Sequence, residues 1–121
     1  MASRVSRYLP PILWFAVIVA LTSAPVTGVP QIRHLDKLAH FAIYLPLGFL
    51  LARAVGGAGW KGVLAALAVC LAAAACDEIH QLAVPGRSAD IFDFAADVAG
   101  CLTGTALHLA WRRWRKRPLS G

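Results

Sequence analysis

The sequence DEIHQLAVPGRSADIFDFAAD, residues 77–97, covers the end of one strongly apolar segment and the start of the next, and holds five of the six acidic residues in the chain. A charged side chain inside an apolar segment is costly unless it is paired or neutralised. The sixth acidic residue, Asp36, begins a second polar group, DKLAH, at the edge of another apolar segment. These polar groups at the segment ends are therefore where function should be sought. The acidic residues of the stretch are Asp77, Glu78, Asp90, Asp93 and Asp97.

The composition indicates a membrane protein. Of the 121 residues, 59% are apolar and only 15% are charged, against about 25% charged in soluble domains. This length predicts a single domain over residues 1–121. The net charge is +6, but the basic residues lie at the ends of apolar runs and form no stripe on one polar surface. That pattern is typical of membrane-flanking charge and argues against a nucleic-acid partner.

Four apolar segments predict an all-α fold, a small polytopic membrane protein built as a four-transmembrane-helix bundle. The segments cover residues 9–24, 36–55, 60–84 and 90–114, the last beginning at 88 or 90. Residues 25–35, and the glycines Gly56, Gly57 and Gly59, form loops between them. The first segment resembles a secretion signal, but Pro25 follows the candidate cleavage point, so we expect an uncleaved helix. Asp36 predicts an N-cap and Pro46 a kink in the second segment.

The distribution of positive charge predicts the orientation in the membrane. Nine Lys and Arg residues lie at the N-terminus, in the second loop and in the tail, whereas the other two loops carry three. The positive-inside rule then places both termini in the cytoplasm and the protein in the cytoplasmic (inner) membrane. Trp111 and Trp114 would anchor the last helix at the inner interface. The start of segment two, the end of segment three and the start of segment four then share the outer side.

Helical spacing brings the polar residues to common faces on these ends. Asp90, Asp93 and Asp97 share a face with the GxxxG pair Gly100 and Gly104, so the acids lie on the face that packs against another helix. The same spacing places Asp36, His40 and Tyr44 on one face of segment two, and Asp77, His80 and Gln81 on one face of segment three. We therefore expect one polar pocket between the three helices. The candidate ligand-binding residues are Asp36, Lys37, His40, Tyr44, Asp77, Glu78, Gln81, Arg87, Asp93 and Asp97.

Clustered carboxylates near membrane depth must pair with cations or take up protons. Lys37 and Arg87 can each pair with one, and His40 and His80 can pair with others if protonated. The pocket is thus an acid/base pair, a cation site or a structural salt-bridge lock, and the residues alone leave these open. Structural roles also fit single residues, such as an N-cap for Asp36.

The cysteines give no metal-binding motif, since Cys70, Cys76 and Cys101 have neither CxxC nor zinc-type spacing. We read them as small apolar residues inside helices. A disulfide between Cys76 and Cys101 would require their helices to touch at that depth. The sequence assigns no metal site and leaves any cofactor open.

Four blocks of the sequence together resemble the VanZ-like membrane protein family. They are DKxxHFxxY at 36–44, DExxQ at 77–81, PxR at 85–87 and DxxxDxxG at 93–100. The resemblance covers about residues 36–104 and implies a small multi-helix membrane protein. The family is named for a protein linked to resistance to the glycopeptide antibiotic teicoplanin. Asp97 stands where Asn is common in the family, which adds one acid to the pocket.

Three functions are compatible with these observations. The first is a bacterial cell-envelope protein whose outward-facing pocket engages a membrane lipid or lipid-linked ligand and lowers susceptibility to teicoplanin-type antibiotics. The second is an enzyme acting on a lipid-linked substrate, with His40 and either Asp77 or Glu78 as the catalytic acid/base pair, or with a divalent metal held by carboxylates and His40. The third, movement of protons or ions, would need polar residues along the whole path, and the inner helix halves are apolar. The sequence leaves the ligand, the oligomeric state and any catalysis open.

Overall fold

The structure, a computed structural model, describes residues 3–24, 33–56 and 59–119. They form four helices: α1 (Arg4–Thr22), α2 (Arg33–Ala54), α3 (Gly59–Gln81) and α4 (Ile91–Arg115). Within the described ranges there is no strand, so the all-α prediction is confirmed. By length and composition α1, α2 and α3 can each cross a membrane. The predicted loop residues 25–32, with Pro25, Gly28 and Pro30, lie outside the described ranges, as does Gly57.

The four helices run alternately up and down. Thr22 at the end of α1 contacts Asp77 near the end of α3, and Lys37 near the start of α2 contacts Asp90 just before α4. One end of the bundle therefore collects the end of α1, the start of α2, the end of α3 and the start of α4. We call it the polar end. The opposite end, the basic end, holds the start of α1 and the arginine-rich end of α4.

Two of the predicted boundaries near the polar end are wrong. Helix α2 begins at Arg33, so Asp36 lies in its first turn and is not the N-cap. A carboxylate in the first turn still interacts favourably with the helix dipole. Helix α3 ends at Gln81, three residues before the predicted Val84, because the following N–H groups form i→i−3 turns. Pro46 lies inside α2, which continues past it as one helix.

The start of α4 is fixed by Asp90, which is its N-cap. The Oδ1 atom of Asp90 accepts a hydrogen bond of 2.9 Å from the backbone N–H of Phe92. A capping carboxylate satisfies one of the orphan N–H groups of the first turn. The loop before it turns at Gly86, whose φ of 78° lies in the left-handed region that favours glycine.

Helices α2 and α4 make the closest contact in the bundle, and glycines permit it. A Cβ atom added to Gly104 would overlap the carbonyl oxygen of Leu45, and one added to Gly48 would overlap that of Cys101. A Cβ atom added to Gly100 would also lie too close to the backbone of α2, at Phe41. The expected packing role of the GxxxG pair is confirmed. Gly48, its counterpart on α2, was not identified from the sequence.

The apolar core lies beside this contact and contains two of the three cysteines. Cys70 and Cys101 are buried and Cys76 is exposed, and all three are free thiols. The disulfide considered between Cys76 and Cys101 is therefore not formed. The two cysteines do not meet, because Cys101 lies inside the bundle and Cys76 lies on an exposed face of α3. Cys101 packs in one core cluster with Cys70 and Ala74.

We expect Gly104→Ala to lower the free energy of unfolding by about 1–3 kcal/mol, because the added methyl group forces α2 and α4 apart. The measurement is reversible unfolding in mixed detergent micelles, followed by circular dichroism. Ala106→Leu, a larger addition at an exposed position of the same helix, serves as the control and should leave stability nearly unchanged. Equal stability of Gly104→Ala and the wild type would contradict the close contact.

Candidate functional site

The polar end of the bundle contains a group of buried ionisable and hydrogen-bonding side chains from all four helices, which we call the polar cluster. His40, Asp77, Glu78, Asp93 and Asp97 are each less than a tenth exposed. A membrane bundle accepts such residues only if their charges and hydrogen bonds are satisfied. The polar cluster comprises Thr22, Asp36, Lys37, His40, Tyr44, Asp77, Glu78, Gln81, Asp90, Asp93 and Asp97.

Asp77 is held by neutral donors rather than by a cation. Its Oδ1 accepts a hydrogen bond of 2.6 Å from the Thr22 hydroxyl. Its Oδ2 accepts one of 3.2 Å from the Tyr44 hydroxyl and a longer one of 3.5 Å from the Gln81 amide. Three donors on two oxygens replace much of the lost hydration of a carboxylate. Asp77 therefore ties α1 and α2 to α3.

Lys37 joins α2 to the start of α4 through two carboxylates. Its Nζ lies 3.0 Å from Oδ1 of Asp93 and 3.2 Å from Oδ2 of Asp90. The Asp93 side chain is 7% exposed and that of Lys37 26% exposed. The ion pair between Lys37 and Asp93 is therefore partly buried. Removing either partner of a buried ion pair destabilises the fold, because the other charge is left unpaired. The sequence-based pairing of Lys37 with an acid is observed here.

His40 lies between three carboxylates and uses its two nitrogens differently. Its Nδ1 is 2.7 Å from Oδ1 of Asp97, a short hydrogen bond. An ionised carboxylate can only accept, so the proton of this bond belongs to Nδ1. On the other side of the ring, Nε2 lies 3.8 Å from Oδ2 of Asp93 and 3.9 Å from Oδ1 of Asp36, too far for a hydrogen bond. Asp97 has no exposed surface, and within the described residues its Oδ2 has no partner.

Glu78 fastens the loop between α3 and α4. Its Oε2 accepts a hydrogen bond of 3.1 Å from the backbone N–H of Asp90. Its Oε1 accepts one of 3.5 Å from the side chain of Gln81. The end of α3 and the start of α4 are therefore held together by one carboxylate.

Arg87 and His80 lie at the rim of the polar end, outside the polar cluster. The Nε of Arg87 donates a hydrogen bond of 3.0 Å to the carbonyl oxygen of Ala24. His80 is exposed, and its Nε2 lies 2.8 Å from the hydroxyl of the half-buried Ser23. Within the described residues, no carboxylate forms a salt bridge with Arg87. The expected pairing of Arg87 with an acid is thus not seen there.

A separate apolar groove runs between α1, α2 and α3, on the basic-end side of the contact between Thr22 and Asp77. Its volume is about 600 Å³. The lining is almost entirely apolar, so the groove offers shape and hydrophobic contact but little polar recognition. Lining residues include Tyr8, Phe15, Leu47, Leu51, Val69 and Ala73.

The sequence model of the VanZ/LLP1 family matches residues 3–112, nearly the whole chain. The chain belongs to the VanZ/LLP1 family. No curated protein and no solved structure matches it. The matched range begins well before the motifs at 36–104, so this VanZ/LLP1 protein shares α1 with its family as well as the three helices that carry the motifs. That is the helix from which Thr22 reaches Asp77.

The structure brings nearly all of the candidate ligand-binding residues of this VanZ/LLP1 protein into the polar cluster, and Arg87 lies at its rim. The candidate catalytic residues His40, Asp77 and Glu78 are all buried there, but the hydrogen-bond partner of His40 is Asp97. Thr22 and Ser23 were missed. The signal that could have found them is a pair of hydroxyl residues ending an otherwise apolar segment.

We expect Thr22→Val to lower the free energy of unfolding by about 1.5–3 kcal/mol, because it removes a hydrogen bond to the buried Asp77 carboxylate without changing side-chain shape. Thr22→Ser keeps the hydroxyl and is the matched control, which should stay close to the wild type. Unfolding in mixed micelles gives the comparison. If Thr22→Val and Thr22→Ser prove equally stable, the bond contributes nothing and the described network is wrong at this point.

Proposed function

We propose that this VanZ/LLP1 protein is a bacterial cell-envelope protein that binds a lipid or lipid-linked ligand at the outer side of the cytoplasmic membrane. By doing so it lowers susceptibility to teicoplanin-type glycopeptide antibiotics. Both termini lie in the cytoplasm in this proposal, and the polar end faces outward. The ligand's headgroup contacts the rim of the polar end, while its apolar part stays in the surrounding membrane.

The observation that carries the proposal is the hydrogen bonding of the Arg87 guanidinium group. The acids of the polar cluster are bound by Lys37, His40 and neutral donors, and Arg87 uses only its Nε, on the carbonyl of Ala24. Within the described residues its two terminal nitrogens have no partner. A guanidinium presents these nitrogens as a planar fork that matches a phosphate or carboxylate group. A partly exposed arginine at this level therefore suits an anionic headgroup.

The buried network beneath Arg87 holds it in place for such a contact. Glu78 fixes the loop through the N–H of Asp90, and the bond to Ala24 joins that loop to the end of α1. A binding group gains affinity when its position is set before the ligand arrives. The polar cluster thus serves the rim as a rigid support.

The link to teicoplanin rests on family membership and on chemistry. Teicoplanin carries an acyl chain and acts at the outer membrane surface, whereas vancomycin lacks that chain. A protein that binds a lipid-like molecule at this surface would discriminate between the two. Lowered susceptibility to teicoplanin alone is therefore the expected phenotype.

Expression of the chain in a susceptible Gram-positive host should raise the inhibitory concentration of teicoplanin and leave that of vancomycin unchanged. Arg87→Ala should abolish the effect, since loss of a charge-assisted hydrogen bond of about 1.5–3 kcal/mol weakens binding by about tenfold or more. Arg117→Ala, at an exposed position in the tail, is the charge-matched control and should retain it. Wild-type cells as susceptible to both antibiotics as cells lacking the protein would refute the proposal.

The orientation is tested by cysteine labelling in intact cells. In a chain whose three cysteines are replaced by alanine, Ser88→Cys should react with a membrane-impermeant maleimide added from outside, because Ser88 is exposed beside Arg87. Leu119→Cys in the tail should react only after the cells are opened. The reverse pattern would place the polar end in the cytoplasm and exclude binding at the outer surface.

A further inference from the structure

Three carboxylates lie around His40, and only one of its two ring nitrogens, Nδ1, forms a hydrogen bond within the described residues. His40 is 3% exposed, and within the described residues its Nε2 forms no hydrogen bond. A histidine nitrogen that faces carboxylate oxygens without a hydrogen bond has the ligand types that transition-metal ions prefer. The surroundings of Nε2 are two acidic oxygens, one from α2 and one from α4.

We propose that Nε2 of His40, Oδ1 of Asp36 and Oδ2 of Asp93 form a binding site for a divalent transition-metal ion of the zinc class. Nε2 is 3.9 Å from the Asp36 oxygen and 3.8 Å from the Asp93 oxygen. Nitrogen and oxygen ligands at about 2.1 Å from a tetrahedral ion lie about 3.4 Å apart. Closing this gap takes shifts of about half an ångström. The three residues offer ligand atoms that all lie within 4.8 Å of one another.

The protonation of His40 suits this role. Asp97 Oδ1 accepts a hydrogen bond of 2.7 Å from the protonated Nδ1, which leaves the lone pair of a neutral imidazole on Nε2. A ligating histidine typically donates its other N–H to a carboxylate, which fixes the tautomer and the ring orientation. Asp97 is therefore a positioning residue for His40, placed on the far side of the ring from the proposed ion.

The two oxygens of the Asp93 carboxylate have separate roles, since one pairs with Lys37 and the other is the proposed ligand of the ion. Its Oδ1 lies 3.0 Å from the Lys37 ammonium, while its Oδ2 is the oxygen that faces Nε2. Lys37 thus orients the carboxylate without occupying the proposed ligand atom.

The charge balance at the polar end also favours a cation. Around His40 lie Asp36, Asp93, Asp97 and Glu78, and with His40 neutral the salt bridges of the described residues supply only Lys37 as a positive partner. Charges at this depth are stable when they pair with one another or coordinate a metal. An alternative ligand set, His40 with Glu78 and Asp97, is less suitable, because both oxygens of Glu78 already accept hydrogen bonds. Three protein ligands leave a fourth position open to water.

The test is metal binding to the purified full chain in detergent, with no lipid ligand or antibiotic, so its result is independent of the function proposed above. Chelator-treated protein is titrated with Co²⁺, followed by its visible absorption, and then with Zn²⁺ in competition. The wild type should bind one ion per chain. Asp36→Asn should weaken binding by about 100-fold or more, since even the outer partners of a ligating histidine are worth about 10–100-fold. Asp36 is the suitable ligand to change, because its side chain is 35% exposed.

Asp90→Asn is the matched control, because it removes one negative charge from the same end but leaves the three ligands in place. Its affinity should stay within about threefold of the wild type, against the loss expected for a ligand. Equal affinity of the wild type, Asp36→Asn and Asp90→Asn would show adventitious binding only and overturn the site. Should Asp36→Asn fail to fold, the Co²⁺ spectrum of the wild type decides: absence of tetrahedral-type absorption leaves His40 in a metal-free ion-pair cluster and refutes the inference.

Discussion

The structure depends on satisfying carboxylates that are buried at one end of an apolar bundle. Asp77 and Asp97 have almost no exposed surface, and the two carboxylates have different kinds of hydrogen-bond partner. Asp77 is surrounded by hydroxyl and amide donors, whereas Asp97 accepts a hydrogen bond from the Nδ1–H of His40. Since an unsatisfied charge at membrane depth costs about 2.5–3.5 kcal/mol on insertion scales, each such contact constrains which helices are neighbours. The polar cluster thereby specifies the arrangement of the bundle as much as it stabilises it.

The close contact between α2 and α4 makes those pairings geometrically possible. Side chains as short as aspartate reach across a helix interface only when the backbones approach closely. Gly48, Gly100 and Gly104 provide that approach along most of the interface, and the salt bridges of Lys37 continue it to the polar end. Packing and electrostatics therefore act on one pair of helices, and a change in either would disturb the other.

Much of this arrangement could be predicted from the sequence, because the helical period assigns residues to faces without knowledge of the fold. Asp36 and His40, Asp77 and Gln81, and Asp93 and Asp97 were each placed correctly on a common face. The choice of partners could not be predicted, since it depends on how each helix is rotated about its axis. We expected His40 to pair with Asp77 or Glu78. His40 and Glu78 do offer ligand atoms within 4.8 Å of each other, but the hydrogen-bond partner of His40 is Asp97. The prediction that Asp36 is the N-cap was wrong, because Asp is also favourable within the first turn of a helix.

The sequence separations of these contacts have a consequence for biogenesis. The partners Lys37 and Asp93 lie 56 residues apart along the chain, and His40 and Asp97 lie 57 apart. When α2 leaves the ribosome, its lysine and histidine have no acidic partner from α4, which is synthesised last. Until α4 is inserted, α2 lacks these partners, and an unpaired charge at membrane depth costs about 2.5–3.5 kcal/mol on insertion scales. A chain that ends before residue 93 lacks both of these acidic partners of α2.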